Sequence, residues 1–379
     1  MRNKFHITIK FFILLSISCN SIFCQNKNIK IATLDRKNAY DKKILFLSPK
    51  FDKKYYNKNT EEDSAFLNNG KFEFSMSKQA DNFPRPYKFI LELQRKQIYR
   101  YTESFYFDNK SKNIIFDSEN GKIIDDNENT ELKKQIFSYE KYMKNTIMQK
   151  KQLDSVKYAS YKNNSFEKIK DSLKGKYEIL KLKEQDLLYN YSKLNPNSII
   201  LFWEIVDRIE KDGYDKKYEL IFNNLSKEIK QSFPGKILYN QFTILQENIE
   251  GNLFKFKINN TNITVSKKFT LIDFWFSHCK ACLEEMPKYK SIYKKYKNND
   301  FEIIGISTDR TNYIDDWKKV INEKDLPWLN LLDENSVEAQ KYNINKFPTT
   351  FLLDKEGRII KKDISPEELE KFLDENMKL

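Results

Sequence analysis

Asp273-Phe274-Trp275-Phe276-Ser277-His278-Cys279-Lys280-Ala281-Cys282 is the stretch on which the reading of this 379-residue chain turns. Residues 269–276 form a dense apolar run interrupted by a single acid, Asp273, the pattern of a strand buried on both faces. Residues 283–297 carry the periodicity of a helix. Two cysteines at C-x-x-C spacing therefore sit between a buried strand and a helix start. Three kinds of chemistry use that spacing. Structural zinc takes four ligands, usually a second Cys/His pair. Beyond residue 25 the chain has no other Cys, and its only His there is His278, so no metal site is expected. Covalent haem attachment requires C-x-x-C-H, but residue 283 is Leu and the histidine precedes the first cysteine. Dithiol redox chemistry needs only the pair and its setting, and no cofactor.

The setting favours that third use. Cys279 would lie at the helix N-terminus, where unpaired N–H groups and the helix dipole stabilise an anion. Lys280, and His278 when protonated, add positive charge beside it. These features favour the Cys279 thiolate, the reactive form. Cys282 lies one turn further in and is more shielded. The pair is thus asymmetric: Cys279 attacks a disulfide and Cys282 resolves the mixed disulfide.

Further features follow in order: Glu285 and Pro287, Ile304-Gly305-Ile306-Ser307, Trp317, and Phe347-Pro348-Thr349-Thr350-Phe351-Leu352-Leu353-Asp354. With Ile272-Asp273-Phe274-Trp275 and Cys-Lys-Ala-Cys, they make the segment from about residue 242 to 379 resemble the thioredoxin-like domain of TlpA/ResA-type thiol–disulfide oxidoreductases. The resemblance implies an α/β thioredoxin-like fold and a redox-active Cys279–Cys282 disulfide. It implies that Asp273 is the buried acid that moves protons to and from Cys282, with a pKa raised by desolvation. It places Glu285 near the active site, and it makes Pro348 the cis-proline facing the disulfide. Phe347 would then offer backbone to an extended substrate strand, with Trp275 packed under the site and His278 on its rim as further substrate-side residues. Two positions depart from the pattern: Ala281 stands where many members have Pro, and His278 where many have Trp. Both neighbour the cysteines, so redox strength does not transfer.

Working outward, the chain reads as multidomain. Residues 26–125 carry short alternating patterns at 43–47, 71–76, 87–93, 104–107 and 113–116, with Asn68-Asn69-Gly70 as a hairpin signal. They are expected to form a β-rich, sandwich-like accessory domain. Residues 126–238 turn to helical spacing. Ser198 is read as the N-cap of a helix over 199–210 and Gly213 as its stop, and one further helix is expected over 218–232, ending before Pro234-Gly235. Residues 239–379 complete the chain as the thioredoxin-like domain, with strands and helices alternating from Lys236. Lys355-Glu356-Gly357 marks a hairpin, and Ser365-Pro366-Glu367-Glu368 opens a final helix. The N-terminal region also resembles, more weakly, the accessory region of many secreted members.

Residues 1–25 read as an export signal, with a basic start and a short apolar run at 11–17. Cleavage is expected between Cys24 and Gln25, and acylation of Cys19 as a lipoprotein is the second reading. The expected location is therefore the periplasm or cell envelope, with membrane association possible. The net charge of +13 is unevenly placed: residues 236–379 are neutral, 26–125 hold +6 and 126–235 hold +4. Only eight of the 67 basic residues are Arg, the side chain best suited to bidentate phosphate contacts. No nucleic-acid partner is expected. The expected partners are client proteins with disulfides and, by family analogy, a membrane thiol-transfer protein as electron donor. The leading function is reduction of client disulfides. Two alternatives stand beside it: a thiol peroxidase, which would usually have Thr where Phe276 stands, and a surface-binding or assembly protein whose redox domain is secondary.

Overall fold

The computed structural model describes residues 29–35, 44–56, 63–76, 81–93, 98–126, 130–258, 261–263 and 265–377. The expected export segment, with Cys19 and Cys24, lies outside the described residues. No helix among them is long and apolar enough to cross a membrane.

The N-terminal region is β-rich. Its strands are β1 (Ile29–Asp35), β2 (Ile44–Pro49), β3 (Asp63–Asn68), β4 (Lys71–Met76), β5 (Arg85–Leu93), β6 (Ile98–Tyr101), β7 (Phe105–Phe107), β8 (Lys112–Phe116) and β9 (Ile123–Asp125). They form one hydrogen-bonded sheet in the order β6-β5-β2-β3-β4-β1-β8-β9, with β7 added to β5. Alternation drives the assembly: β4 buries Phe72, Phe74 and Met76 and exposes the residues between them. The sheet curls so that its two halves face each other. Phe89 of β5 stacks on Phe74 of β4 at 5.7 Å and meets Phe116 of β8 at 5.5 Å. The two layers of the expected sandwich are thus halves of one continuous sheet. β3 is the corner, pairing β2 through residues 63–66 and β4 through 67–68.

The middle of the chain is helical: α1 (Thr130–Lys162), α2 (Phe166–Leu194), α3 (Ile199–Asp212), α4 (Lys216–Asn224), α5 (Lys227–Gln231) and α6 (Phe233–Glu247). α1 and α2 form a long antiparallel hairpin, tied by Tyr177 Oη donating to Asp154 Oδ1 at 2.7 Å. Ser198 caps α3 by accepting from Leu201 N, and Gly213 ends it with φ 81°. The helix expected over 218–232 is broken into α4 and α5, because Leu225 leaves the helical region and Ser226 recaps the chain. Pro234-Gly235 starts a helix rather than ending one. Ser232 caps it, and proline is tolerated in a first turn because the N–H it lacks would have no intrahelical partner. The boundary expected at 238/239 therefore falls inside α6, whose Phe242 and Leu245 pack in the N-terminal core.

That core is shared. Ile31, Phe74 and Phe89 of the sheet belong to the same buried cluster as Trp203, Ile205 and Leu238 of the helices. Trp203 is central: it stacks on Phe51 at 5.3 Å and donates from Nε1 to Pro84 O at 2.8 Å. The β-rich part and the helical part are therefore one packed unit, not a domain followed by a separate helical segment.

The C-terminal part follows a short pair, β10 (Lys257–Ile258) and β11 (Thr261–Asn262). Its elements are β12 (Phe269–Trp275), α7 (Lys280–Tyr296), β13 (Phe301–Ser307), α8 (Ile314–Lys324), β14 (Leu329–Leu332), α9 (Val337–Lys341), β15 (Thr349–Asp354), β16 (Ile359–Lys362) and α10 (Pro366–Asn376). The sheet order is β14-β13-β12-β15-β16, parallel from β14 to β12 and antiparallel for β15 and β16. All seven residues of β12 are buried, as a central strand covered on both faces must be. Phe269, Leu271 and Trp275 pack with Cys282, Met286 and Tyr289 of α7 on one face. Ile272 and Phe274 pack with Phe256 and Ala339 on the other. By strict alternation Asp273 lies on the α7 face.

Candidate redox site

The chain leaves β12 at Trp275 and reaches α7 through Phe276, Ser277 and His278. A buried carboxylate, Asp309, holds this short loop. It accepts from Ser277 N at 2.9 Å, Ser277 Oγ at 2.6 Å and Ser307 Oγ at 2.6 Å. Three donors offset the cost of burying the charge. Trp275 O accepts from Thr308 N at 2.9 Å, tying the same loop to the end of β13.

Cys279 is the N-cap of α7. Its Sγ accepts from Cys282 N at 3.2 Å, and its backbone N donates to Phe276 O at 2.9 Å. In the reduced protein the same helix N-terminus favours negative charge on Cys279. Cys279 and Cys282 are joined as a disulfide, with S–S 2.00 Å and Cα–Cα 5.3 Å. Both are buried, at 5% and 3% exposure, so a partner sulfur has a narrow line of attack.

Asp273 is 3% exposed, and its Oδ1 has no hydrogen-bond partner among the described residues. Burial, and then the charge of Glu285, lift its pKa to about 7. Glu285 sits one helical turn past Cys282 and is half-buried, and burial raises its pKa as well. Tyr289, one turn further, is fully buried; burial and the charges of Asp273 and Glu285 hold its phenol protonated. The outer end of this line of groups is the Lys288–Glu367 ion pair at 2.7 Å.

The remaining candidates divide. Phe347 packs edge-to-face on Phe276 at 5.4 Å, which brings the Pro348 loop beside the loop carrying Cys279; the Phe347–Pro348 peptide bond is cis. His278 is on the rim, with Nε2 2.9 Å from Asp316 Oδ2 and its ring 4.6 Å from that of Tyr313. Trp275 does not line a substrate surface. It is 1% exposed, in the core under the loop, with its indole nitrogen against Gly305. A Cβ at Gly305 would lie 3.2 Å from that nitrogen and 2.9 Å from Asn330 Oδ1, so a side chain there would force its neighbours to shift. Asp309, Asp316 and Tyr289 were not singled out from sequence. A signal for Asp309 existed in Ser307-Thr308-Asp309, a polar triplet ending a buried strand. Asp316 and Tyr289 look like ordinary helix residues. Among the described residues no group of three or more His, Cys, Asp or Glu could hold a metal ion.

Residues 267–359 match a family described as thioredoxin-like. A thiol-disulfide oxidoreductase ResA of Bacillus cereus is 33% identical over 109 residues, 28% of this chain and 62% of that protein. The ResA of a second Bacillus cereus strain, ATCC 10987 / NRS 248, is 28% identical over 169 residues, 42% of this chain and 96% of that protein. Among solved structures, a thiol:disulfide interchange protein from Bacteroides sp. is 36% identical, covering 29% of this chain and 72% of that one, with a TM-score of 0.26. The chain thus spans less than two thirds of the first of these ResA proteins, and all three matches cover less than half of this chain. With the strand, dithiol, helix and proline loop in the order described above, residues 267–359 carry a thioredoxin-like domain that is similar to the ResA-type thiol–disulfide oxidoreductases.

Proposed function

We propose that this chain is an exported reductase of protein disulfides, working in the periplasm or cell envelope as a unit of two parts: the shared β-and-helical core and the redox domain. The observation that carries this reading is the Cys279–Cys282 pair at the start of α7, with a buried, unpartnered carboxyl, Asp273, on the strand face turned to the same helix.

The reaction begins from the dithiol. The Cys279 thiolate attacks one sulfur of a client disulfide. The client S–S bond breaks, a Cys279–client S–S bond forms, and the released client sulfur takes up a proton. Asp273, with its pKa near neutrality, accepts the proton of the Cys282 thiol. The Cys282 thiolate then attacks Cys279 Sγ, and the second client sulfur leaves with its electron pair and is protonated. The client gains two electrons and two protons, and the chain is left as the Cys279–Cys282 disulfide. An external dithiol reverses these steps on the chain. A membrane thiol-transfer protein is the donor proposed for an oxidising compartment.

The peroxidase reading is not favoured, because Phe276 stands at the position that chemistry would fill with Thr and the named relatives are thiol–disulfide oxidoreductases. The test is reduction of insulin by the full chain with dithiothreitol as regenerating donor. Cys279→Ser is expected to abolish the catalysed rate. A rate equal to dithiothreitol alone for the unsubstituted chain would overturn the proposal.

A further inference from the structure

The segment 342–346 that leads into Pro348 is gripped by the accessory unit. Asn343 Oδ1 accepts from Gln241 Nε2 of α6 at 3.1 Å and from Lys54 Nζ at 3.1 Å. Asn248 Nδ2 donates to Tyr342 O at 2.9 Å. Lys346 Nζ donates to Lys211 O at 2.6 Å, at the C-terminal end of α3 where carbonyls have no helical partner. Gln241 and Asn248 are each 4% exposed, so this grip is built into the interior rather than laid on the surface.

A cleft of about 250 Å³ lies at this junction. One wall is the end of α3, Glu210–Gly213; the other is the Pro348 loop, with Lys362 and Asp363 at the end of β16. Its walls share Lys211 and Asp212 with a second cleft of about 610 Å³ between α2 and α3. At its other end it reaches Pro348, next to Phe347, which packs on Phe276 beside the redox loop. The first cleft is thus a groove between the end of α3 and the Pro348 loop, and its Pro348 end is one residue from Phe347, the neighbour of the redox loop.

We infer that this groove seats an extended segment of the client polypeptide, so that the accessory unit forms one wall of the client-binding site. This inference rests on the reductase function proposed above and adds to it where the client lies. The lining argues for polypeptide. Lys211, Lys346 and Lys362 are balanced by Glu210, Asp212 and Asp363, so the groove has no net sign with which to select an anion or a nucleic acid. Polar side chains of both signs suit a chain that brings its own N–H and C=O groups. A small disulfide reaches Cys279 without entering the groove, whereas a protein disulfide carries flanking residues that must lie somewhere on this face.

The experiment compares two substrates on the full chain: insulin and bis(2-hydroxyethyl) disulfide. Lys211→Trp fills the groove from the accessory wall, at a side chain that is 66% exposed, and Lys211→Arg is its conservative partner. The ratio of kcat/KM for insulin to that for the small disulfide is expected to fall at least about tenfold in Lys211→Trp and to recover in Lys211→Arg. An unchanged ratio would overturn the inference, while absence of activity on both substrates in the unsubstituted chain would instead overturn the reductase reading. A second measurement does not depend on that variant folding. A disulfide peptide with a benzophenone side chain near its cysteine is trapped on Cys282→Ala and irradiated. Cross-links to residues 209–213 support the groove; cross-links confined to α8, beyond His278, contradict it.

Discussion

Asp273 lies on the face of β12 turned to α7, opposite Glu285 one turn past Cys282, and the charge of Glu285 adds to burial in lifting the Asp273 carboxyl to about 7. A carboxyl at its ordinary pKa would be a poor base for a thiol. One near neutrality exchanges protons with a thiol at far lower cost. Burial is the larger cause, so the shift is set by the fold of the strand and adjusted by the helix.

Replacing Asp273 with Asn separates stability from function. The folded chain keeps the Asp273 proton up to about pH 7, whereas the unfolded chain releases it near 3.8. The stability of the unsubstituted chain is therefore full below 3.8, falls as pH rises between the two values, and stays reduced above 7. Asn carries no such penalty. Asp273→Asn is expected to be more stable by on the order of 2–4 kcal/mol at pH 8, with the difference shrinking toward pH 4. Urea unfolding at several pH values measures this. Insulin reduction by the same variant is expected to fall about tenfold or more at neutral pH.

Glu285→Gln removes the charge that raises Asp273 and leaves the burial in place. The acidic limb of the pH–rate profile for resolution of the mixed disulfide is expected to move to lower pH by less than about one unit. Stopped-flow measurement across pH 5–9 reads it. A limb that does not move would show that Glu285 does not act through Asp273.

Asp309→Ala leaves Ser277 N–H, Ser277 Oγ and Ser307 Oγ without their common acceptor in the interior. The expected loss is about 2–4 kcal/mol, read as a lowered denaturation midpoint. Asp309→Asn keeps one acceptor oxygen and is expected to cost less. Because Ser277 is two residues from Cys279, both variants are expected to slow insulin reduction, with alanine the slower.

What was legible in the sequence is what the chain decides locally. The dithiol at a strand–helix junction shows within ten residues, and so do the Ser198 cap of α3 and the Ser365/Glu368 capping box of α10. What was not legible depends on distant partners. Asp309 meets Ser277 across a separation of 32 residues, and Lys346 meets Lys211 across 135. The polar triplet Ser307-Thr308-Asp309 marks a strand end without naming its partner, and nothing near 346 announces the other contact. The resemblance puts Trp275 under the site among the substrate-side residues, and strand alternation turns it into the α7-side core. Pro234-Gly235 reads as a break by propensity, but Ser232 converts the same pair into a helix start. The sharing of one core by sheet and helices was likewise hidden, since each half of the periodicity is satisfied by residues far away in sequence.

The most direct measurement of the central claim is capture of the mixed disulfide. The full chain carrying Cys282→Ala is reduced, freed of reductant and mixed with insulin, and the products are separated without reductant. A covalent adduct through Cys279 is expected, released by dithiothreitol and absent when Cys279→Ala is used instead. No adduct with Cys282→Ala, or an adduct formed equally well by Cys279→Ala, would contradict Cys279 as the attacking sulfur and with it the proposed reduction of protein disulfides.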